Sequence, residues 1–425
     1  MRPAAAAVAV RAGAAGRGAG RRPRERPVRA REGRRPRLLM LLHGFFPTEV
    51  RVAAEVRAAV AAGFEVDVIA LRGKSDPARG MAEGARYHRV PVDHVHGAGL
   101  GGMVKEYLGF TLLAALKAAR LSARRRYDIV QIHTPPDFLV LAAAVPRLLG
   151  ARIVFDVHDL ASDMFHMRFE GRRGSAVAEH VLRAVERWTA GAARVVLTVH
   201  DPYKRELVAR GVDPDKVVVI MNSLDDAALP PPLEPAAPNG FVVSYHGTVT
   251  PHYGVPLIVD AAAKALPAIP DLEVRIYGSG DAIPDVLTRA AALGVEDRVW
   301  VSPTFLSQRE VLRAVQPASV GVIPNLPTKL NRFALSTKLL EYVALGVPVI
   351  CSDLPTLREH FSDDEVLFFE AGSSTALARA LELTAKEPEA AHERADAALR
   401  RYDAYRWPAS AERYVEALRR CLRAA

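Results

Sequence analysis

Arg37-Leu-Leu-Met-Leu-Leu-His43 and, after a helix-length segment, Phe64-Glu-Val-Asp-Val-Ile-Ala-Leu71 decide the fold class. The first run is short, almost wholly apolar and ends at Gly44, the pattern of a strand buried on both faces. A loop over residues 45–48 and a helix over 49–62 follow, and Gly63 stops the helix. The second run begins with no hairpin between the two, so a parallel βαβ unit is expected. The pattern predicts further strands at 85–92, 128–133, 152–157, 195–199 and 216–220. Residues 224–240 are proline-rich with no apolar period and read as a linker. The alternation then resumes, with strands at 241–246, 272–277, 299–301, 320–323 and 347–351 and a helix at 257–266. This is an α/β chain of two Rossmann-like, doubly wound parallel-sheet domains facing a central cleft, where ligands bind beyond the carboxyl ends of the strands.

A length of 425 residues suits two such domains. The net charge of +9 invites a nucleic-acid reading, but residues 1–37 carry twelve arginines and two acids, leaving 45 basic against 46 acidic residues elsewhere. The folded part is neutral, so no nucleic-acid partner is expected. The Ala, Gly, Arg and Pro of residues 1–36 cannot repay the entropy of ordering and predict a disordered tail. Arg21-Arg22 is followed by no apolar segment of signal length. The longest apolar run, Phe138 to Val145, halts at Pro146 and is too short to span a bilayer. Cys351 and Cys421 have no disulfide or zinc spacing. A cytoplasmic protein is expected.

Asn331-Arg-Phe-Ala-Leu-Ser-Thr-Lys-Leu-Leu-Glu-Tyr-Val-Ala-Leu-Gly-Val-Pro-Val-Ile350 reads as a loop, a helix capped by Ser336 and Thr337, a stop at Gly346 and a buried strand. Free N–H groups and the positive end of the helix dipole suit a diphosphate, and Lys338 adds a full charge. Glu341 lies one turn on, where a carboxylate can accept both hydroxyls of a ribose. A well-capped surface helix explains the same residues equally well on physical grounds.

The segment Ser336 to Ile350 closely resembles the donor-site motif of glycosyltransferase family 4, retaining enzymes of the GT-B fold, and the resemblance extends over nearly everything from residue 38 onward. It implies an acceptor-side domain at 37–225, a linker at 226–240, a donor-nucleotide domain at 241–402 and a C-terminal helix at 403–425 crossing back. Tyr245 to Gly254 resembles the first strand-loop of the donor domain, which places Gly247, Thr248 and Tyr253 by the diphosphate. Arg275 to Gly280 resembles the base-side loop, with Gly278, Ser279 and Gly280, and Val301 to Leu306 the segment that cradles the base, with Thr304 and Leu306. Leu335, Ser336 and Thr337 complete the diphosphate site. His158, after the strand Ile153-Val-Phe-Asp-Val157, corresponds to a family histidine against the donor sugar. With Lys338 and Glu341 it forms the expected catalytic set. His133, Arg51 and Glu49 are expected on the acceptor side.

The resemblance implies a retaining glycosyltransferase using a nucleoside diphosphate sugar, with UDP or GDP as the expected nucleotide. The acceptor would be a hydroxyl of a glycan or lipid-linked glycan of the cell envelope or an exopolysaccharide. No cofactor and no metal are expected, because Lys338 and backbone N–H groups meet the leaving charge. The sequence departs from the family pattern at Phe333, where the first of two carboxylates belongs, and at Thr248 and Tyr253, where cations are common. An epimerase or phosphorylase on this fold, or a non-catalytic partner subunit that binds nucleotide sugar, are the alternatives.

Three further patterns stand out in the sequence. Gly97-Ala-Gly-Leu-Gly-Gly102 lacks the acidic residue of a nicotinamide site. Asp213-Pro-Asp215 sits in a turn rather than a metal site. Residues 103–126 form an amphipathic helix carrying Leu108, Leu112, Leu116 and Leu121 beside Lys105, Lys117, Arg120, Arg124, Arg125 and Arg126. A core-facing helix with a basic edge is the default reading, and peripheral contact with an anionic membrane at the inner face of the cytoplasmic membrane is the other.

Overall fold

The structure, a computed structural model, describes residues 34–94, 99–169, 175–224, 229–231, 240–304 and 306–423. The tail up to residue 33, most of the expected linker, and Gly97 lie outside the described residues. The first sheet contains β1 (Arg37–Leu42), β2 (Glu65–Leu71), β3 (Arg79–Ala82), β4 (Ala85–Val90), β5 (Ile129–His133), β6 (Arg152–Val157), β7 (Val195–Thr198) and β8 (Val217–Val219), in the order β3-β4-β2-β1-β5-β6-β7-β8. The second contains β9 (Phe241–His246), β10 (Leu272–Tyr277), β11 (Val299–Val301), β12 (Val320–Ile323), β13 (Val349–Ser352) and β14 (Leu367–Phe369), in the order β11-β10-β9-β12-β13-β14. All pairings are parallel except β3 with β4. These are two doubly wound sheets. Strand order reverses between β1 and β5 and between β9 and β12, and at such points the flanking loops diverge and leave a crevice.

The apolar run of β1 has the two-residue period of a strand buried on both faces. Leu39 and Leu41 join one core cluster with Val130, Ile132 and Phe155, while Leu38, Met40 and Leu42 join another with Val52, Val56 and Val68. Two elements escaped the sequence reading. β3 is Arg-Gly-Met-Ala at a sheet edge, half-exposed and without an apolar pattern, paired to β4 through the two-residue turn Glu83-Gly84, both at positive φ. β14 spans only three residues.

The tail boundary also needs correction. Arg34 Nη2 donates to both oxygens of Asp128 at 2.8 Å, and the Arg37 amide donates to Asp128 Oδ2 at 2.8 Å, so residues 34–36 belong to the fold. The default reading of the amphipathic helix holds for its basic edge and for Leu121, which packs on the N-terminal core, but three of its leucines do not face the core. Leu100–Arg124 buries Phe110 together with Thr111, Ala114, Ala118 and Ser122, small residues that let it pack closely. Leu108, Leu112 and Leu116 lie on the opposite, exposed face, where Val104 precedes them at the same four-residue spacing.

The last helix, Trp407–Leu422, leaves the C-terminal half and packs on the helix Val50–Ala61, burying Tyr414, Ala417, Leu418 and Cys421 in the core cluster of Leu38 and Val56. Phe333, from the second half, packs against the N-terminal core beside Tyr203, with ring centroids 6.4 Å apart. Arg205 and Glu359 form a bidentate pair between the halves, with bonds of 2.8 and 2.5 Å. Both side chains are largely in water, so the apolar contacts carry the association. Leu418→Ala should cost about 2–5 kcal/mol in chemical denaturation, the range for a fully buried leucine. A loss below about 1 kcal/mol would contradict a structural role for this helix.

Candidate functional site

On the N-terminal side the site is built around one carboxylate, Asp156, at the end of β6 and fully buried. A charge in an apolar strand needs a partner. Arg51 supplies it: Nη2 donates to Asp156 Oδ1 at 2.9 Å, and Nη1 donates to the Ile220 carbonyl at 2.7 Å and to Asn222 Oδ1 at 2.8 Å. Burial opposes ionisation of Asp156, but Arg51 and the neighbouring histidines hold its carboxyl well below the usual range. Glu55, 3.2 Å from Arg51 Nε, goes the other way, its carboxyl raised by burial and by Asp156. Gln131 Nε2 donates to Glu55 at 2.7 Å and to Asp156 at 3.2 Å, while its carbonyl accepts from Tyr414 Oη at 2.7 Å. The last helix is thereby tied to the site.

Asp156 orients two imidazoles. His158 Nε2 lies 3.1 Å and His133 Nδ1 3.2 Å from Asp156 Oδ2, and the His158 amide donates to Thr134 Oγ1 at 3.2 Å. With Asp156 ionised, the His158 nitrogen facing it carries a proton. His158 keeps 15% of its side chain exposed and His133 none. Burial lowers His133 to about 4, so its ring is neutral. Two expectations are thereby corrected. Arg51 does not meet an acceptor, because Asp156 consumes its charge, and His133 is walled in as a positioning residue. Glu49 is exposed at the start of the helix Val50–Ala61 and acts on Asp159 through its charge.

On the C-terminal side, His246 ends β9 and Gly247 turns the chain at φ 94°. The Gly247 amide donates to the Tyr277 carbonyl at 2.9 Å and the Val249 amide to the Ser279 carbonyl at 3.0 Å, which sets the two glycine-bearing loops side by side. A methyl group on Gly278 would strike the Gly247 carbonyl, and one on Gly280 the Val249 carbonyl. At Gly247 it would meet Lys338 Cε at 2.6 Å. Only glycine permits this approach. Lys338 Nζ stands 4.2 Å from the centre of the Tyr253 ring and 5.7 Å from that of Tyr245, whose hydroxyl donates to the Thr248 carbonyl at 2.6 Å. Tyr253 thus does not replace a cation; its ring face receives one. Burial pushes the Lys338 ammonium down to about 8, against the pull of Glu341.

Glu341 is held from two sides: Oε2 accepts from His246 Nε2 at 2.6 Å and Oε1 from Gln308 Nε2 at 2.9 Å. Burial opposes its ionisation, but the His246 bond keeps its pKa below the ordinary value. A carboxylate accepts about four hydrogen bonds, so capacity remains for a diol. Ser336 occupies the cap position of the helix Thr337–Ala344, yet its side chain makes no capping bond and Thr337 is exposed. The side-chain capping expected there is therefore corrected, and no hydroxyl covers the first turn. Leu306 and Leu335 pack against the core cluster of Leu339, and the exposed Thr304 accepts from Ser302 Oγ at 2.7 Å. Gln308, not Thr304, reaches Glu341.

Asp159 links the two sides. Burial raises its carboxyl, Tyr203 hydrogen-bonds it, and its charge acts on both His158 and Tyr253. Sequence reading missed Asp156, Asp159, His246 and Gln308. The signal for Asp156 was a lone charge inside a buried strand; for the others, contact across different elements carries the information.

Residues 48–223 match the glycosyl transferase 4-like domain, and residues 240–386 match glycosyl transferases group 1. A D-inositol 3-phosphate glycosyltransferase from Kineococcus radiotolerans is 26% identical over 398 residues, 85% of this chain and 87% of that protein. Sucrose-phosphate synthase from Thermosynechococcus elongatus superposes with a TM-score of 0.71 at 19% identity, covering 91% of this chain and 98% of that one. Anabaena HepE, in complex with UDP and glucose, superposes with a TM-score of 0.66 at 14% identity over 90% and 99%. With two doubly wound sheets and both domain matches in order along the sequence, the chain belongs to the family 4 glycosyltransferases of the GT-B fold.

Proposed function

We propose that this glycosyltransferase moves a sugar from a nucleoside diphosphate, UDP or GDP, to a hydroxyl of a glycan or lipid-linked glycan, with retention at the anomeric carbon. The observation that carries the reading is Lys338, its ammonium over the Tyr253 ring and its stem against Gly247. In the reaction the bond from the anomeric carbon to the phosphate oxygen breaks, and the electron pair leaves with the diphosphate. The acceptor oxygen bonds to the same face of that carbon, and its proton passes to the departing phosphate. Lys338 and the N–H groups of Ser336 and Thr337 meet the developing charge as preorganised donors with no metal required. Glu341 accepts the ribose hydroxyls, and His158 donates or accepts at the sugar from an imidazole held by Asp156. Phe333 packs on the N-terminal half, so no carboxylate from that position holds the sugar.

The exposed stripe Val104, Leu108, Leu112 and Leu116, with the exposed Lys105, Arg120 and Arg124, supports peripheral contact with an anionic membrane. Among the described residues no helix is long and apolar enough to cross one. The protein then works at the cytoplasmic face, where a lipid-linked acceptor is reached from the side.

Lys338→Ala should lower kcat/KM by about 100-fold or more, the scale for removing one charge-stabilising donor; unchanged turnover would refute the assignment. Because the cation is the working form and its pKa lies near 8, wild-type kcat/KM should fall as pH rises through about 8, and Lys338→Arg should move that limb upward. A profile flat to pH 9 contradicts this. Leu112→Asp should abolish co-sedimentation with vesicles containing anionic lipid and leave turnover of a soluble acceptor intact. Undiminished sedimentation would remove the membrane reading.

A further inference from the structure

Besides the cluster on Asp156, a second group of metal-ligating side chains converges at the rim of the N-terminal sheet. His43 follows β1, His94 follows β4, and Glu106 lies in the helix Leu100–Arg124. Glu106 Oε1 stands 2.9 Å from His43 Nε2 and 2.6 Å from His94 Nδ1, and one ligand atom of each residue lies within 4.8 Å of the other two. The side chains of His43 and Glu106 are 6% and 8% exposed. His43 Nε2 is buried and makes no hydrogen bond, despite its nearness to the carboxylate. A buried, unsatisfied nitrogen is costly, and a native fold that keeps one calls for a partner. The ring is not free to turn away. Tyr107 and Phe110 pack edge-on against it with centroids 4.8 and 5.1 Å away.

Two imidazoles and one carboxylate form the ligand set of a borderline-soft divalent ion; magnesium and calcium prefer oxygen throughout. In a tetrahedral site with bonds of about 2.0–2.1 Å, neighbouring ligand atoms stand about 3.3 Å apart. The contacts of Glu106 Oε1 to His94 and His43 therefore need to open by about 0.7 and about 0.4 Å, the larger of them through a rotamer adjustment of the part-exposed His94. We propose that His43 Nε2, His94 Nδ1 and Glu106 bind a divalent ion of the zinc class, with water in the fourth position. The ion ties the end of β1 to the chain after β4 and to the long helix, three segments that meet beside the crevice between β1 and β5. It does not act on the leaving diphosphate, which the proposed reaction assigns to Lys338. The inference is independent of that reaction.

The test uses the full chain without an affinity tag, stripped with chelator. Zn2+ is titrated against a chromogenic chelator, and Co2+ in parallel, its visible absorption reporting tetrahedral coordination. One equivalent should bind per chain with a tetrahedral Co2+ spectrum. His94→Ala and His94→Gln, on a part-exposed side chain and checked for fold by circular dichroism, should weaken binding by at least about tenfold. His158→Ala should leave it unchanged. Absence of stoichiometric binding, binding that survives both His94 variants, or binding lost in His158→Ala would overturn the proposal.

Discussion

The ion pair between Arg51 and Asp156 is the constraint on which the N-terminal half of the site depends. Two opposite charges are taken out of water at the centre of a sheet, a burial repaid only when each remaining donor and acceptor is met. Here most are met, by elements far apart in sequence: the Ile220 carbonyl and Asn222 on one side, Gln131 and His133 from β5 on another, and Tyr414 through Gln131 from the last helix, while Arg51 Nε faces Glu55 at 3.2 Å without a hydrogen bond. Removing Arg51 would leave an uncompensated buried carboxylate; removing Tyr414 would loosen the amide that orients it. The same pair gives His158 its protonated, fixed nitrogen. Fold and site therefore share one set of bonds.

The C-terminal half uses a different device, close backbone approach. Gly247, Gly278 and Gly280 let two loops run in contact beneath Lys338, so that a cation, a turn of backbone and an uncapped helix start meet in one place. Burial weakens the hold of Lys338 on its proton, and an arriving diphosphate would restore it, coupling charge at the site to occupancy. Glu341 is fixed beforehand by His246 and Gln308, so less rotamer freedom is lost on binding.

The alternation of apolar runs and helix-length segments carried the fold, because strands buried on both faces leave an uninterrupted signal. β1, β9 and β12 were legible for that reason, and β10 through the alternation of Leu272, Val274 and Ile276 with Glu273 and Arg275. β3 was not, since an edge strand has one neighbour and its Arg-Gly-Met-Ala needs no pattern. Lys338, Glu341 and the glycines lie within contiguous motifs and could be read along the chain. Arg51 and His133 were visible as residues but misjudged in role, since nothing local to Arg51 says that Asp156, more than one hundred residues on, will take its charge. Phe333 stood out as a departure; that it faces Tyr203 in the other half is a tertiary fact.

The donor site is the centre of this reading, and calorimetric titration of the full chain and of Glu341→Ala with UDP and GDP tests it most directly. One of the two nucleotides should bind the wild-type chain at a single site, and the variant should lose that binding while keeping its fold. Equal affinity in both proteins, or no binding of either nucleotide to the wild type, would contradict the placement of the nucleotide at Glu341.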